Sequence, residues 1–479
     1  MTLRVEKVGG TSMLDFEAVR RNVVERTPAR YGRILVVSAY AGVTDALLEH
    51  KKSGQPGVYA LFAQAEDRSA WPRAFEALRA LLQQHNKRVF AGSPSTVRDA
   101  AEAFLAARLA DAEACLYRLE ALCTHGHFSR ADHLATVREL LASVGEAHSA
   151  WNTAARLQEV GINARFLDLT GWAGAEARPL DEALRTALEG IDLSRELPIA
   201  TGYAHCQEGL LQRYDRGYSE ITFSRLAVLS QAAEAIIHKE YHLSSADPKL
   251  VGVEAAVPLG RSNFDVADQL AQLGMEAIHP KAAAGLRKAG IALCVRNIFE
   301  PEHPGTVLSE GYRSRSPCVE MIAGRERLWA LGLHDPDGLT LDAALVEQTL
   351  ARLLGEHRLR PLARDGNANS VTLYLGESEN RLRGLRRALK AHFPQAELSL
   401  EPMACVAAVG SDMALAGLLA EASGALAQAG ISVRAVQQGP RQVDMRFFVA
   451  PEAYEAAVRA LHAALIEVHD HGRAIRLAS

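Results

Sequence analysis

Much of what could announce a function is missing from these 479 residues. No G-x-x-x-x-G-K-[ST] stretch occurs, which excludes the common phosphate-binding loop. Only six cysteines are present (Cys115, Cys123, Cys206, Cys294, Cys318, Cys405), none in a C-x-x-C pair. In a chain this long they read as reduced core residues, not as a disulfide framework. Aromatic residues make up 6%, which disfavours a base-stacking surface. Neither sign of charge dominates: 53 Lys and Arg against 57 Asp and Glu leave −4, with no strong field toward nucleic acid or anionic membrane. No apolar run reaches the roughly 18 residues of a membrane span, and no leader-like segment precedes the first motif. A cytoplasmic metabolic enzyme or small-molecule sensor is expected.

What is present is an ordinary globular composition, 48% hydrophobic and 23% charged. At roughly 100–200 residues per domain, two to four domains are expected. The most informative stretch is Glu6-Lys7-Val8-Gly9-Gly10-Thr11-Ser12, where a strand should give way to a turn and a helix. Glycines let backbone N–H groups approach a polyphosphate, and a lysine and helix-start amides neutralise its charge. Alone, a strand ending in Gly-Gly is more often a simple turn.

Residues 33–39 read as a buried parallel strand, and 67–146 as Ala/Leu-rich helix broken at Gly92-Ser93-Pro94. Strands and helices then alternate: 163–169, 180–188, 197–202, 221–233, 235–237, 263–273 and 291–297. That order predicts an α/β, doubly wound, mainly parallel sheet with ligands at the carboxyl ends of its strands, where Gly9, Gly10, Ser38 and Gly202 fall. Past the Pro/Gly/Arg-rich stretch 300–317 a β-α-β-β-α-β order appears about twice, a ferredoxin-like duplication. The expected domains are 1–310, 318–398 and 399–479.

Four further segments could carry chemistry. Arg213-Tyr214-Asp215-Arg216-Gly217-Tyr218-Ser219-Glu220 precedes a helix; an arginine there can grip a carboxylate, while the bland reading is a capping box. Gly145-Glu146, read at a helix start, offers a carboxylate for an ammonium or merely a first-turn charge. Ser38-Ala39-Tyr40-Ala41-Gly42-Val43-Thr44 sets two hydroxyls about a glycine turn. Ser244-Ser245-Ala246-Asp247-Pro248-Lys249 suits ribose and phosphate, or is an Asp-Pro turn. The His125, His127, His133 group and the His469, His471 group lack paired ligand spacing and read as solvated loops.

Taken together these motifs resemble the aspartate kinases of the amino-acid kinase family. K-V-G-G-T-S at Lys7–Ser12 is similar to their K-F-G-G-T-S opening. S-A-x-A-G-x-T, G-E, R-G-x-S, A-D-P-K and I-H-P follow in family order, and the C-terminal duplication resembles their paired ACT domains. The resemblance implies ATP and Mg²⁺ as cosubstrate and cofactor, L-aspartate as phosphoryl acceptor, and a homo-oligomer formed through the ACT domains. It places Lys7 on the transferring phosphoryl group, Gly9, Gly10 and Ser12 in the phosphate loop, and His238, Ser244, Asp247 and Lys249 on the nucleotide side. Ser38, Thr44, Glu146, Arg216 and Ser219 match aspartate-site positions, with Glu146 on the amino group and Arg216 on the α-carboxylate. No metal ligand is implied directly from protein.

The departures are as specific. R-G-G-S-D becomes R-G-Y-S-E, so Tyr218 and Glu220 replace a glycine and an aspartate; Glu220 keeps the carboxylate, and the resemblance implies a catalytic role for it with Lys7, organising the lysine and metal. The T-D-V-x-G-V-Y segment becomes residues 238–244, and a nucleotide-side lysine becomes Glu276. R-Y-D-R-G-Y-S-E and the insert 49–59 look like the aspartate kinases of ectoine biosynthesis. Asp335, Gln437 and Gln438, in strand-to-loop segments, are effector-site candidates or plain turn residues. Two other readings stay open: a kinase for another small anion, and a non-catalytic ACT-domain amino-acid sensor.

Overall fold

Val5 and Val8 are fully buried, and the strand they belong to, β1 (Arg4–Val8), lies inside a parallel sheet. Its register pairs Lys7 with Val36 on one side and with Ile237 on the other. Three of its five residues, Arg4, Glu6 and Lys7, are charged although the sheet buries the strand, so the buried Glu6 needs a partner. Glu6 has two: Arg33 Nε at 2.6 Å and His238 Nε2 at 2.8 Å. Within the unit that holds β1 (Met1–His242 with Ile278–Glu310) the other strands of this sheet are β2 (Arg33–Val37), β3 (Ala164–Leu167), β4 (Leu197–Thr201), β5 (Glu234–Lys239), β7 (Ala292–Asn297) and β8 (Thr306–Ser309). They run in the order β3-β4-β2-β1-β5-β7-β8, parallel except for β8. The computed structural model describes residues 3–27, 29–51, 53–64, 67, 69–172, 174, 176–214, 217–275, 277–335 and 343–467.

The chain forms two units, Met1–His242 with Ile278–Glu310, and Leu243–Ala277 with Gly311–Ser479. The split is not collinear with the sequence: 243–277, which alternation alone would leave in the first domain, packs with the C-terminal region. Ala246 joins an apolar cluster with Phe447 and Leu461, the Ile322 N–H donates to Ser245 O at 2.7 Å, and Ser245 Oγ meets His462 Nε2 at 2.9 Å. The short strand β6 (Arg261–Asn263) lies in this segment.

The C-terminal region is one antiparallel six-stranded sheet: β9 (Met321–His334), β10 (Ala363–Gly366), β11 (Ser370–Leu375), β12 (Glu397–Val409), β13 (Ala435–Gln438) and β14 (Asp444–Val449), ordered β10-β11-β9-β12-β14-β13. Two apolar cores cover it. One gathers Ile322, Val406, Phe447 and Leu461; the other gathers Leu331, Leu350, Leu373 and Leu385. The long strands β9 and β12 pass through both, with a register slip at Met403 and Cys405 between them. Residues of the first core thus come from before and after the second. The arrangement is nested, where a reading of successive repeats gives 318–398 followed by 399–479.

Candidate active site

The loop after β1 closes on itself through backbone bonds. The Gly9 N–H donates to His238 O at 3.3 Å, and Met13 N–H donates to Gly9 O at 3.0 Å. Gly10 is packed so tightly on the loop after β2 that a Cβ would stand 2.5 Å from Ala39 O, so no other residue fits. Ser12 is fully buried and donates to Glu240 Oε1 at 2.9 Å. Lys7, 5% exposed and next to the last residue of its strand, has Nζ 3.8 Å from Glu220 Oε1, and the other Glu220 oxygen accepts the His279 N–H.

Glu146 sits in the middle of the helix Leu134–Glu159, not at a helix start. The Ala/Leu pattern runs straight through Gly145, whose missing side chain lets the helix approach Val43 and Ala39: a Cβ would meet Val43 Cγ1 at 2.8 Å. Glu146 is 2% exposed, its Oε1 accepting the Tyr218 hydroxyl at 2.9 Å and its Oε2 the Gly202 N–H at 3.1 Å. Burial pushes its carboxyl up to about 7, against the opposing pull of Tyr218, the Ala39 and Gly202 amides and the Lys7 charge. Ser38 and Ser219 face each other at 3.3 Å between hydroxyl oxygens. How closely these elements converge is measured at Gly202, where a Cβ would lie 2.6 Å from both Glu146 Oε2 and Ser219 Cβ. Lys7, Ser38, Glu146, Ser219 and Glu220 therefore gather at the carboxyl ends of β1, β2 and β4, as expected of an α/β sheet.

The helix Tyr218–Leu229 begins at Gly217 with no side-chain cap, so Ser219 and Glu220 do not form the capping box that the sequence allowed. Thr44 is half-buried in the helix Val43–Leu47. His238 is turned into the sheet toward Glu6, and only its carbonyl meets the glycine loop. In the second unit, Asp247 caps the short helix Pro248–Val251 by accepting the Lys249 N–H at 2.9 Å; Lys249 is exposed and Ser244 half-buried. The Asp335 N–H donates to Asn369 O at 3.0 Å. Gln437 reaches from β13 to β10, donating to Arg364 O at 2.8 Å and to Asp365, while Gln438 is exposed. Arg216 and Glu276 lie outside the described residues, as do His469 and His471.

Sequence reasoning missed the Tyr218–Glu146 contact, the carboxylate of Glu240 on the phosphate loop, and a buried polar cluster behind the Ser38–Thr44 segment. There His148 Nε2 meets Asn86 Oδ1 at 2.6 Å, Asn152 donates to Asn86 at 2.9 Å, and Tyr40 stacks on His85. Burial drives His148 down to about 3, so its ring is neutral. The one available signal was the density of Ser, Gly, Glu, His, Asn and Thr in an otherwise buried helix, 143–153.

Residues 2–297 match the amino acid kinase family, and 406–465 match an ACT domain. Aspartate kinase Ask_Ect of Stutzerimonas stutzeri is 48% identical over 477 residues, covering 99% of each chain. Lysine-sensitive aspartokinase 3 of Escherichia coli is 25% identical, covering 97% of this chain and 99% of that one. The crystal structure of E. coli aspartokinase III in complex with aspartate and ADP shares the fold, with a TM-score of 0.72 at 21% identity, covering 97% of this chain and 99% of that one. The chain belongs to the amino acid kinase family, among its aspartate kinases.

Proposed function

We infer that the protein transfers the terminal phosphoryl group of ATP to the side-chain carboxylate of L-aspartate, forming 4-phospho-L-aspartate and ADP. The observation that carries this reading is the convergence of one cation, Lys7, and one buried carboxylate, Glu146, on the glycine loop and the Ser38–Ser219 pair. Aspartate brings one ammonium and two carboxylates, which call for one anionic and two cationic partners. Glu146 receives the ammonium. Arg216, by its place in the R-G-x-S motif, grips the α-carboxylate, and Ser38, Thr44 and Ser219 orient the acceptor.

The acceptor is already an anion, so no strong general base is needed. The difficulty is bringing it to a polyphosphate, and positioning with charge neutralisation meets that difficulty. Lys7, held by Glu220, stabilises charge on the phosphoryl oxygens, while Gly9, Gly10 and Ser12 cradle the phosphates. Ser244, Asp247 and Lys249 belong to the nucleotide side. His238 supports the loop through its carbonyl.

Among the described residues no three or more His, Cys, Asp or Glu side chains are grouped to hold a metal ion. Glu220 and Glu240 are the carboxylates beside the loop, and such oxygens fit Mg²⁺ carried on phosphate oxygens and water. Bound there, Mg²⁺ would neutralise phosphate charge.

A cytoplasmic homo-oligomer joined through the ACT region, with Asp335, Gln437 and Gln438 near an effector site, completes the proposal. Among the described residues no helix is long and apolar enough to cross a membrane. Ectoine synthesis is the proposed pathway, supported by R-Y-D-R-G-Y-S-E and by the 48% identity to Aspartate kinase Ask_Ect. Trapping the acyl phosphate with hydroxylamine in the presence of aspartate, ATP and Mg²⁺ tests the activity. Hydroxamate from aspartate, and none from acetylglutamate or carbamate, is expected. No product from aspartate would leave an amino-acid sensor as the function of the ACT region.

A further inference from the structure

Glu146 is held by a side chain that opens the neighbouring helix. Tyr218, 3% exposed, starts the helix Tyr218–Leu229 and donates its hydroxyl to Glu146 Oε1 at 2.9 Å. Its ring packs edge-on against Tyr203, with centroids 5.9 Å apart and planes at 74°. A buried aromatic ring has few rotamers, so its hydroxyl is delivered to one place. The next residue, Ser219, reaches Ser38, so one turn of helix fixes two walls of the site.

Among the described residues no guanidinium stands beside Glu146 in the manner of Arg33 beside Glu6. Neutral donors aimed at its oxygens, with Lys7 further off, favour its ionised form. A carboxylate meant to receive an ammonium cannot carry a tight cationic partner of its own, because that partner would compete with the ligand. A tyrosine hydroxyl orients the group and leaves its charge uncommitted.

We propose that Tyr218 is a positioning residue for aspartate binding: its hydroxyl fixes the rotamer of Glu146 and keeps it the carboxylate that meets the substrate's ammonium. This rests on the reading of Glu146 given above. Among side chains, Lys7 from β1 and Tyr218 act on the carboxylate directly. Glu220 acts through Lys7, Tyr203 engages Glu139, and His148, on the same helix, meets Asn86 and Asn152. Gly202 and Ala39 contribute backbone amides.

Tyr218→Phe removes only the oxygen. It is expected to raise KM for aspartate about 10-fold while kcat stays within about threefold, the mark of lost binding shared by ground and transition states. Losing a donor to the ionised form raises the carboxyl further, so the acid limb of kcat/KM against pH moves upward. Both effects vanish in a Glu146→Gln background. Tyr218→Met, which lacks ring and hydroxyl, gives an equal or larger rise, and calorimetric titration with aspartate reads the same change without turnover. An unchanged aspartate affinity and an unmoved acid limb in Tyr218→Phe overturn the proposal. So does a full Tyr218→Phe effect on top of Glu146→Gln. If Glu146→Gln alone leaves aspartate affinity intact, the ammonium assignment of Glu146 fails, and the role of Tyr218 falls with it. If Glu146→Gln weakens binding but Tyr218→Phe does not, only the role of Tyr218 falls.

Discussion

Glu6 and Glu146 are buried almost equally, at 3% and 2% exposure, in the same unit, and their acidities move in opposite directions. Burial pushes Glu6 upward too, but the Arg33 charge and the His238 hydrogen bond outweigh it and hold the carboxyl at about 2. Glu146, given neutral donors, stays near 7. The same side chain at the same depth is a structural tie in one place and a receptive group in the other. What separates them, among the described residues, is the guanidinium already committed to Glu6. Arg33 is fully engaged, its other nitrogens donating to Val23 O at 2.7 Å and Val24 O at 3.1 Å. No ligand could displace that arrangement without leaving a buried guanidinium unpaired.

The contrast can be broken by mutation. The largest effect is expected from Glu6→Gln, which leaves Arg33 buried without its counter-charge and should cost about 3–5 kcal/mol in a urea titration. The Glu6 contribution to stability is fully present above its ordinary 4.5 and is lost as pH falls from there toward about 2. Acid unfolding should therefore be steeper in the native chain than in Glu6→Gln; equal steepness would dissolve the contrast. Lys7→Ala comes next, lowering kcat by about 10²–10³. Near-normal turnover in a steady-state assay would remove Lys7 from the phosphoryl group.

Glu146→Gln should move stability the other way. A carboxyl raised in the folded state weakens the fold as pH climbs from 4.5 through about 7, so at pH 8 the amide should stabilise by on the order of 1–3 kcal/mol. Aspartate KM should rise about 10–100-fold in the same variant. A loss of stability there would place Glu146 with Glu6 as a structural group. Ser219→Ala sharpens the comparison least, costing about 0.5–1.5 kcal/mol in aspartate affinity by calorimetry.

Local motifs made half of this site legible. Lys7, Gly9, Gly10 and Ser12 all fall within Lys7–Ser12, and a lysine before two glycines states its chemistry in one short stretch of chain. Glu146 could be singled out as a carboxylate, yet its place inside a helix was hidden because glycine ordinarily reads as an interruption. Only the packing partners Val43 and Ala39, about a hundred residues away in sequence, explain it. Tyr218 and Glu146 are 72 residues apart, and no periodicity links them. Asp247 was open to both a turn and a ligand-binding reading, and its cap on Lys249 N–H is the turn made visible. The rhythm of strands and helices beyond 317 was readable, but repeat order alone could not say which core each strand covers.

That last point has a mechanical side. At about 3.3 Å per residue, the 14 residues of β9 make a girder roughly 45 Å long, with β12 bonded along it. Neither half of the C-terminal region owns a complete set of edges, so cutting the chain after residue 398 would strip both halves of a wall and expose apolar surface on each. The region should melt in a single step. A ligand that tilts one end of that girder moves the other end by leverage along continuous backbone.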